Sequence, residues 1–262
     1  MKNKKIFSKL FMICVMIFFY MPIVYTVVFS FNSKKSLTHW SGFSLTWYEK
    51  MFSSRDMMSA LWTTISIAIL ATIISTVVGT ITAIGLSKSN KVLKNIVERI
   101  NDFPIMNPEI VTAISLLMLF SALGVQKGYF TMLLAHIMFC IPYVMLSVNP
   151  KLRSLDPNLA DAALDLGATP WQALIKVIIP QIMPGIVSGA LVAFTMSFDD
   201  FIISYFVTGN GVSNISILVY TMSKRINPSI NALSTIIILI ITVVLVLINI
   251  IPVLKRRGGV KE

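Results

Sequence analysis

The carboxylates set inside apolar sequence are the residues best placed to do chemistry in this chain. In AFTMSFDDFIISYFVTG, residues 193–209, Asp199 and Asp200 stand side by side in an otherwise hydrophobic run. Glu109 follows Asn107-Pro108 at the start of another apolar run. A carboxylate in hydrocarbon costs roughly 3 kcal/mol on insertion scales, so it faces a bundle interior or a water-filled cavity and is paired there. No Lys or Arg falls inside any run long enough to span a membrane. Three ways of satisfying the pair stay open: protonation, pairing with a second polypeptide, or contact with a cationic substrate.

Other chemistries are poorly supplied. The two histidines, His39 and His136, form no HExxH motif, and a nucleophile–base constellation is missing, so intramembrane catalysis and a metal site lack residues. His136 reads as a hydrogen-bonded packing residue rather than a ligand. Cys14 and Cys140 both fall in apolar runs and read as small hydrophobes. No GxxxxGK[ST] phosphate loop is present, so ATP binding by this chain is not expected.

The elements that must position the acids are membrane helices. Of 262 residues, 56% are hydrophobic and 13% charged, against about 25% charged in a soluble domain. Six runs reach the roughly 20 residues that cross a bilayer core: 10–31, 60–86, 103–123, 129–148, 185–207 and 233–254. The first run is too long for a signal-peptide core and no small-residue cleavage site follows it, so it reads as a retained helix. With the N-terminus inside, fifteen Lys and Arg fall on the inner side and seven, including Lys224 and Arg225, on the outer. The positive-inside rule then predicts six spans with both termini cytoplasmic, and the basic excess requires no nucleic-acid partner. Asp199 lies 15 residues beyond Pro184, about 22 Å along a helix, in the outer half of the membrane. Adjacent helical residues differ by about 100° in direction, so one aspartate at most points fully into a pore.

Local signals mark several ends. Asn227 and Pro228 suit the N-cap and first position of the sixth helix. Thr46 and Glu49 have capping-box spacing, which predicts a short helix with Trp47 and Met51 one turn apart. Trp47 is either an interfacial anchor or part of an external gate. Glu109 can simply complement a helix N-terminus, and Ser197 can simply pack as a small residue.

The segment PKLRSLDPNLADAALDLGATPWQALIKVIIPQIMP between the fourth and fifth spans is too ordered for a linker. Asp156 and Pro157 can open a helix and Gly167 can close it in the left-handed conformation. Thr169 and Pro170 repeat the start, and Pro180 is expected to stop the second helix, giving a helix–turn–helix over about 156–180. Ala160, Ala163, Leu164 and Gly167 share a stripe, with Asp161 and Asp165 stacked on another. Such paired acids call for something basic opposite them.

This segment resembles the cytoplasmic signature of ABC-importer permeases: Asp161-Ala162-Ala163, then Gly167, Val177, Ile179 and Pro180, with Asp for Glu, Val for Ile and Ile for Leu. The blocks SFNSKKSLTHWSGFSLTWY, MNPEIVTAISLLMLF, HIMFCIPYVMLSV, SFDDFIISYFVTG and INPSINALSTI narrow the likeness to spermidine/putrescine permeases of the PotC type. The resemblance implies an all-α membrane protein with a MetI-like fold, 1–262 forming one permease domain of the bacterial cytoplasmic membrane. It implies that Asp161, Ala162, Ala163, Gly167 and Pro180 belong to a coupling element docking on a partner ATPase, where ATP and Mg act. It also implies a PotB-type second permease, a PotA-type ATPase dimer and an external PotD-type binding protein. Asp199, Asp200, Glu109, Ser197 and Trp47 then lie on the substrate path. A polyamine would bring spaced ammonium groups to the acids and methylenes to aromatic neighbours such as Phe198 and Tyr205. A permease for another small solute shares the general architecture. An ion-coupled secondary transporter leaves the coupling signature unexplained, and no clear internal repeat supports it.

Overall fold

The computed structural model describes residues 2–223 and 227–258; Lys224, Arg225 and Lys261, used in the orientation argument, lie outside the described residues. Among the described residues every regular element is a helix, apart from an isolated bridge between Asn32 and Phe43. Among the described residues four helices are long and apolar enough to cross a membrane, and a bent pair makes a fifth if taken as one broken span. The described, shorter apolar stretch Pro228–Val243 belongs to the last helix. The chain divides into two compact units, Met1–Met58 with Val219–Glu262, and Ser59–Leu218.

In the first unit, α1 (Lys2–Ser30) and α2 (Thr46–Ser53) pack against α12 (Pro228–Gly258). The start of α12 is as expected, with Asn227 Oδ1 accepting from the Ser229 N–H at 3.2 Å. The capping box expected at Thr46 and Glu49 does not form. Ser44 Oγ pairs with the Thr46 hydroxyl at 2.7 Å and accepts its N–H, while the N–H groups of Tyr48 and Glu49 go to the Leu45 carbonyl. Thr46 thus lies within the first turn instead of capping it. Cys14, on α1, is exposed rather than packed.

The second unit is built on α6 (Tyr129–Arg153) and α9 (Ile179–Asp199). Gly185, Gly189, Ala193 and Ser197 repeat every four residues and are all buried, making one seam along α9. A Cβ on Gly189 would sit 3.1 Å from Val144 Cα, and one on Gly185 would sit 3.0 Å from the Ser147 carbonyl oxygen. Small residues therefore allow the backbones to approach closely, which is how helices associate where lipid supplies no hydrophobic drive. On the adjoining helix α3 (Arg55–Ser87), Gly79 abuts Val144 in the same way.

Two predicted spans are not single helices. Residues 103–106 of the run 103–123 belong to α4 (Lys91–Met106), which bends by 108° into α5 (Glu109–Ala122). The break falls at Asn107-Pro108, where proline holds the preceding residue extended, here at φ −87° and ψ 147°. The run 185–207 is also interrupted: α9 stops at Asp199, Asp200 is extended at φ −59° and ψ 128°, and α10 (Ile202–Val207) begins after it. Conversely, Pro180 does not stop a helix. From α8 (Pro170–Ala173) the chain continues through a π turn, Leu174–Ile178, into α9. There the Ile179 N–H bonds to the Leu174 carbonyl five residues back, a shifted register that accommodates a proline lacking the N–H and crowding the carbonyl four residues earlier.

Gly189→Val should destabilise the α6–α9 seam by roughly 2 kcal/mol through overpacking. Gly85→Ala on α3, whose Cβ would meet nothing within 4 Å, should be neutral or stabilising. Thermal unfolding in detergent checks this, and equal midpoints for the two variants would contradict the seam.

Candidate functional site

The break in the fifth apolar run is made by Asp200, which is 8% exposed. Its extended backbone turns the carboxylate back over the start of α10. Asp200 Oδ1 accepts from the Ile203 N–H at 3.2 Å and Oδ2 from the Ser204 N–H at 2.7 Å. These donors are the orphan N–H groups of a helix start, where negative charge is favoured. His136, on α6 and 1% exposed, brings Nε2 to 3.4 Å from Asp200 Oδ2 and 2.9 Å from Ser204 Oγ. Its Nδ1 lies 2.7 Å from Ser197 Oγ. A carboxylate facing Nε2 favours the hydrogen on that nitrogen, leaving Nδ1 to accept from Ser197.

The network extends to α11 (Ile215–Ser223). Asn214 Nδ2 donates to the Asp200 carbonyl and to Ser204 Oγ, both at 2.9 Å, and its Oδ1 accepts from the Ile217 N–H. Thr64 Oγ1 on α3 accepts from the Ile215 N–H at 2.8 Å. A buried charge surrounded by donors in this way avoids much of the penalty that an unpaired one would suffer.

Asp199 is placed differently. It is exposed, and its carboxylate has no ion pair or hydrogen bond to another residue among the described residues. It is the last residue of α9, where terminal carbonyls carry the negative end of the helix dipole. A carboxylate there is unfavourable by itself and favourable for a bound cation. Glu109 is exposed at the first position of α5, which packs against α10, and it lies within electrostatic range of both aspartates. Phe194 and Phe198 stack at 5.6 Å between centroids on the last turns of α9, and Tyr205 lies 5.4 Å from Phe201.

Glu109, Ser197, Asp199 and Asp200 therefore gather at two helix breaks. Ser197 is 2% exposed and faces His136. Trp47 belongs to the other compact unit. There it is 7% exposed, donates Nε1–H to the Asn32 carbonyl at 2.6 Å, and carries Lys50 Nζ at 4.5 Å from its ring centroid. Among the described residues no group of three or more His, Cys, Asp or Glu could hold a metal ion. Sequence reasoning passed over the site roles of His136, Ser204 and Asn214. Ser197 and Ser204 lie seven residues apart on either side of the acids, which was the available signal.

The cytoplasmic-signature segment folds as a hairpin. Asp156 Oδ1 accepts from the Asn158 N–H at 2.9 Å, and after a turn at Pro157 and Asn158 the helix α7 runs Leu159–Asp165. Gly167, at φ +85°, closes it: its N–H bonds to Leu164 and the Ala168 N–H to Ala163, a left-handed cap that favours glycine. Thr169 and Gln172 form a reciprocal capping box for α8. Asp161, Ala162, Gly167 and Pro180 are exposed, whereas Ala163 is buried against its own chain. Asp161 and Leu164 line a cavity of about 590 Å³ together with Lys88, Lys94 and Arg153, so basic residues of the same chain border that space. At the tip Leu166 and Trp171 are 89% and 68% exposed, large apolar residues outside the stripe that the sequence suggested.

Comparison with known proteins agrees with this architecture. Residues 75–255 match the family described as binding-protein-dependent transport system inner membrane component. The chain is 34% identical to the spermidine/putrescine transport system permease protein PotC of Escherichia coli K12, over 95% of both proteins. It is 38% identical to the putrescine transport system permease protein PotI of the same strain, over 84% of this chain and 82% of that one. Its fold superposes with a TM-score of 0.72 on a bacterial ABC transporter involved in import of the acidic polysaccharide alginate, at 18% identity and 98% coverage of both chains. With its apolar helices and its two breaks, this chain belongs to the binding-protein-dependent transport system inner membrane components, the multi-pass permeases of bacterial ABC importers.

Proposed function

We propose that this chain is a polyamine-conducting permease subunit of an ATP-driven importer, and that Asp199 is its principal cation ligand. The observation that carries this reading is an exposed carboxylate, without a bond to another side chain among the described residues, at the C-terminal end of a membrane helix. Helix dipole and side chain both favour a cation there, and the aromatic rings of Phe194 and Phe198 suit the methylenes between ammonium groups. Glu109 adds a second negative charge near the path. Asp200 and Ser197 act on the path through the network that shapes it. Trp47, tied to Asn32, shapes the external loop of the other unit.

In this reading the chain is one permease domain with six spans and cytoplasmic termini, two of the spans being broken. A PotB-type subunit completes the pore, a PotD-type protein delivers polyamine, and PotA-type ATPases bind ATP and Mg. This chain binds no cofactor and is not itself an enzyme. Asp161, Ala162, Gly167 and the exposed Leu166 and Trp171 form the ATPase-facing tip, with the buried Ala163 holding its shape from within and Pro180 lying exposed where the hairpin runs on into α9.

Uptake by vesicles holding the reconstituted complex tests the ligand assignment. Asp199→Asn should copurify with its partners and raise the apparent KM for polyamine roughly tenfold or more, the loss of a charge-assisted contact. An unchanged KM would remove Asp199 from the path. Asp200→Ala should instead lower the stability of the complex by about 3 kcal/mol, since it leaves buried donors unsatisfied; thermal unfolding checks this. At the cytoplasmic tip, Leu166→Asp should leave the permease inserted and abolish substrate-stimulated ATP hydrolysis. Normal stimulation would exclude that tip from coupling.

A further inference from the structure

His136 touches both sides of the break. Its ring reaches Ser197 on the last turns of α9, Ser204 in the first turn of α10, and the Asp200 carboxylate between them. One turn away on α6, Phe139 packs on the same ring with centroids 5.2 Å apart. Nearer the start of α6, Thr131 Oγ1 donates to the Val207 carbonyl at 2.8 Å. The six residues of α10 are far too few to be stable as an isolated helix. They are therefore held to α6 at both ends, at the beginning by His136 and at the end by Thr131.

We infer that His136 is a positioning residue for transport: by bridging Ser197, Asp200 and Ser204 it fixes the angle of the break and so the direction in which Asp199 meets the cation. This rests on the polyamine reading above. The Asp199 side chain bonds no other residue among the described residues, so its orientation depends on where α9 ends and how α10 departs. Loosening the bridge lowers the fraction of molecules with the acid correctly aimed, and apparent affinity falls by that fraction. The histidine acts through Asp199 and touches no substrate.

The amide N–H of glutamine can replace the Nε2 donor and the amide oxygen of asparagine the Nδ1 acceptor, so each retains one side of the bridge and loses the other. His136→Gln and His136→Asn should both copurify with the partner subunits. In vesicles each should raise the apparent KM for labelled polyamine roughly tenfold while changing Vmax by less than about threefold. Amide hydrogen exchange at Ile203 and Ser204, followed without substrate, should accelerate in both variants. An unchanged KM in either copurifying variant, or a fall in Vmax at constant KM, would overturn the assignment and leave a packing residue. Should neither variant copurify, Ser204→Ala removes one strut with less disturbance and must raise KM in the same way, or the assignment fails. If the parental complex takes up no polyamine, the substrate reading falls separately. The exchange experiment then decides whether the ring holds the break, and unchanged exchange overturns that.

Discussion

A carboxylate enclosed among membrane helices has few stable arrangements, and Asp200 occupies one of them. Its two oxygens satisfy the N–H groups of Ile203 and Ser204 and face His136. This can happen only if the helix is interrupted, because an Asp200 within a continuous helix would find those N–H groups already bonded inside it. The acid and the break are therefore one feature. The break ends α9 at Asp199, leaves that second carboxylate exposed, and makes α10 a short piece dependent on α6 and α5 for support. Two neighbouring residues of identical chemistry are thus separated into a buried structural acid and an available one.

The same helix carries the other physical constraint. The seam of Gly185, Gly189, Ala193 and Ser197 brings α9 close to α6, and His136 and Cys140 bond across it, the latter through Sγ to the Ala193 carbonyl at 3.4 Å. Close packing is what allows a histidine on α6 to reach serines on both sides of the break. At the other end of α9, the π turn at Leu174–Ile178 carries the helix past Pro180 without interruption. The hairpin at α7 and α8 and the acidic break are consequently joined by continuous helix from Pro170 to Asp199. A rigid element of that kind can transmit a displacement from one end to the other.

Much of this was legible in the sequence wherever a local rule governed. The left-handed cap at Gly167 and the helix starts at Thr169 and Asn227 follow from nearest-neighbour backbone chemistry, and they form as expected. The span expected over 185–207 is broken where polar groups at long sequence separation decide the outcome, whereas the break in 103–123 falls at the local Asn107-Pro108. Hydropathy reads 185–207 as uniform because the partners of Asp200 include His136, 64 positions earlier, and Asn214 beyond the run. Glu109 was visible as an acid at a helix start, but its approach to the aspartates depends on α5 packing against α10. Pro180 misled for the opposite reason: proline breaks an ordinary α-helix, and a π turn is one of the few local solutions that avoids doing so. Ala163 was legible as a small residue, yet the spacing did not say that its neighbour would be its own chain.

The central claim is that the two adjacent aspartates have different partners during transport. It is tested most directly by the structure of the complete importer trapped with polyamine at the break, at a resolution that places ammonium nitrogens and carboxylate oxygens. The account predicts an ammonium group at hydrogen-bond distance from Asp199, with Asp200 still bonded to the start of α10 and facing His136. An ammonium seated on Asp200 with those bonds broken, or a polyamine path that contacts neither aspartate, would contradict it.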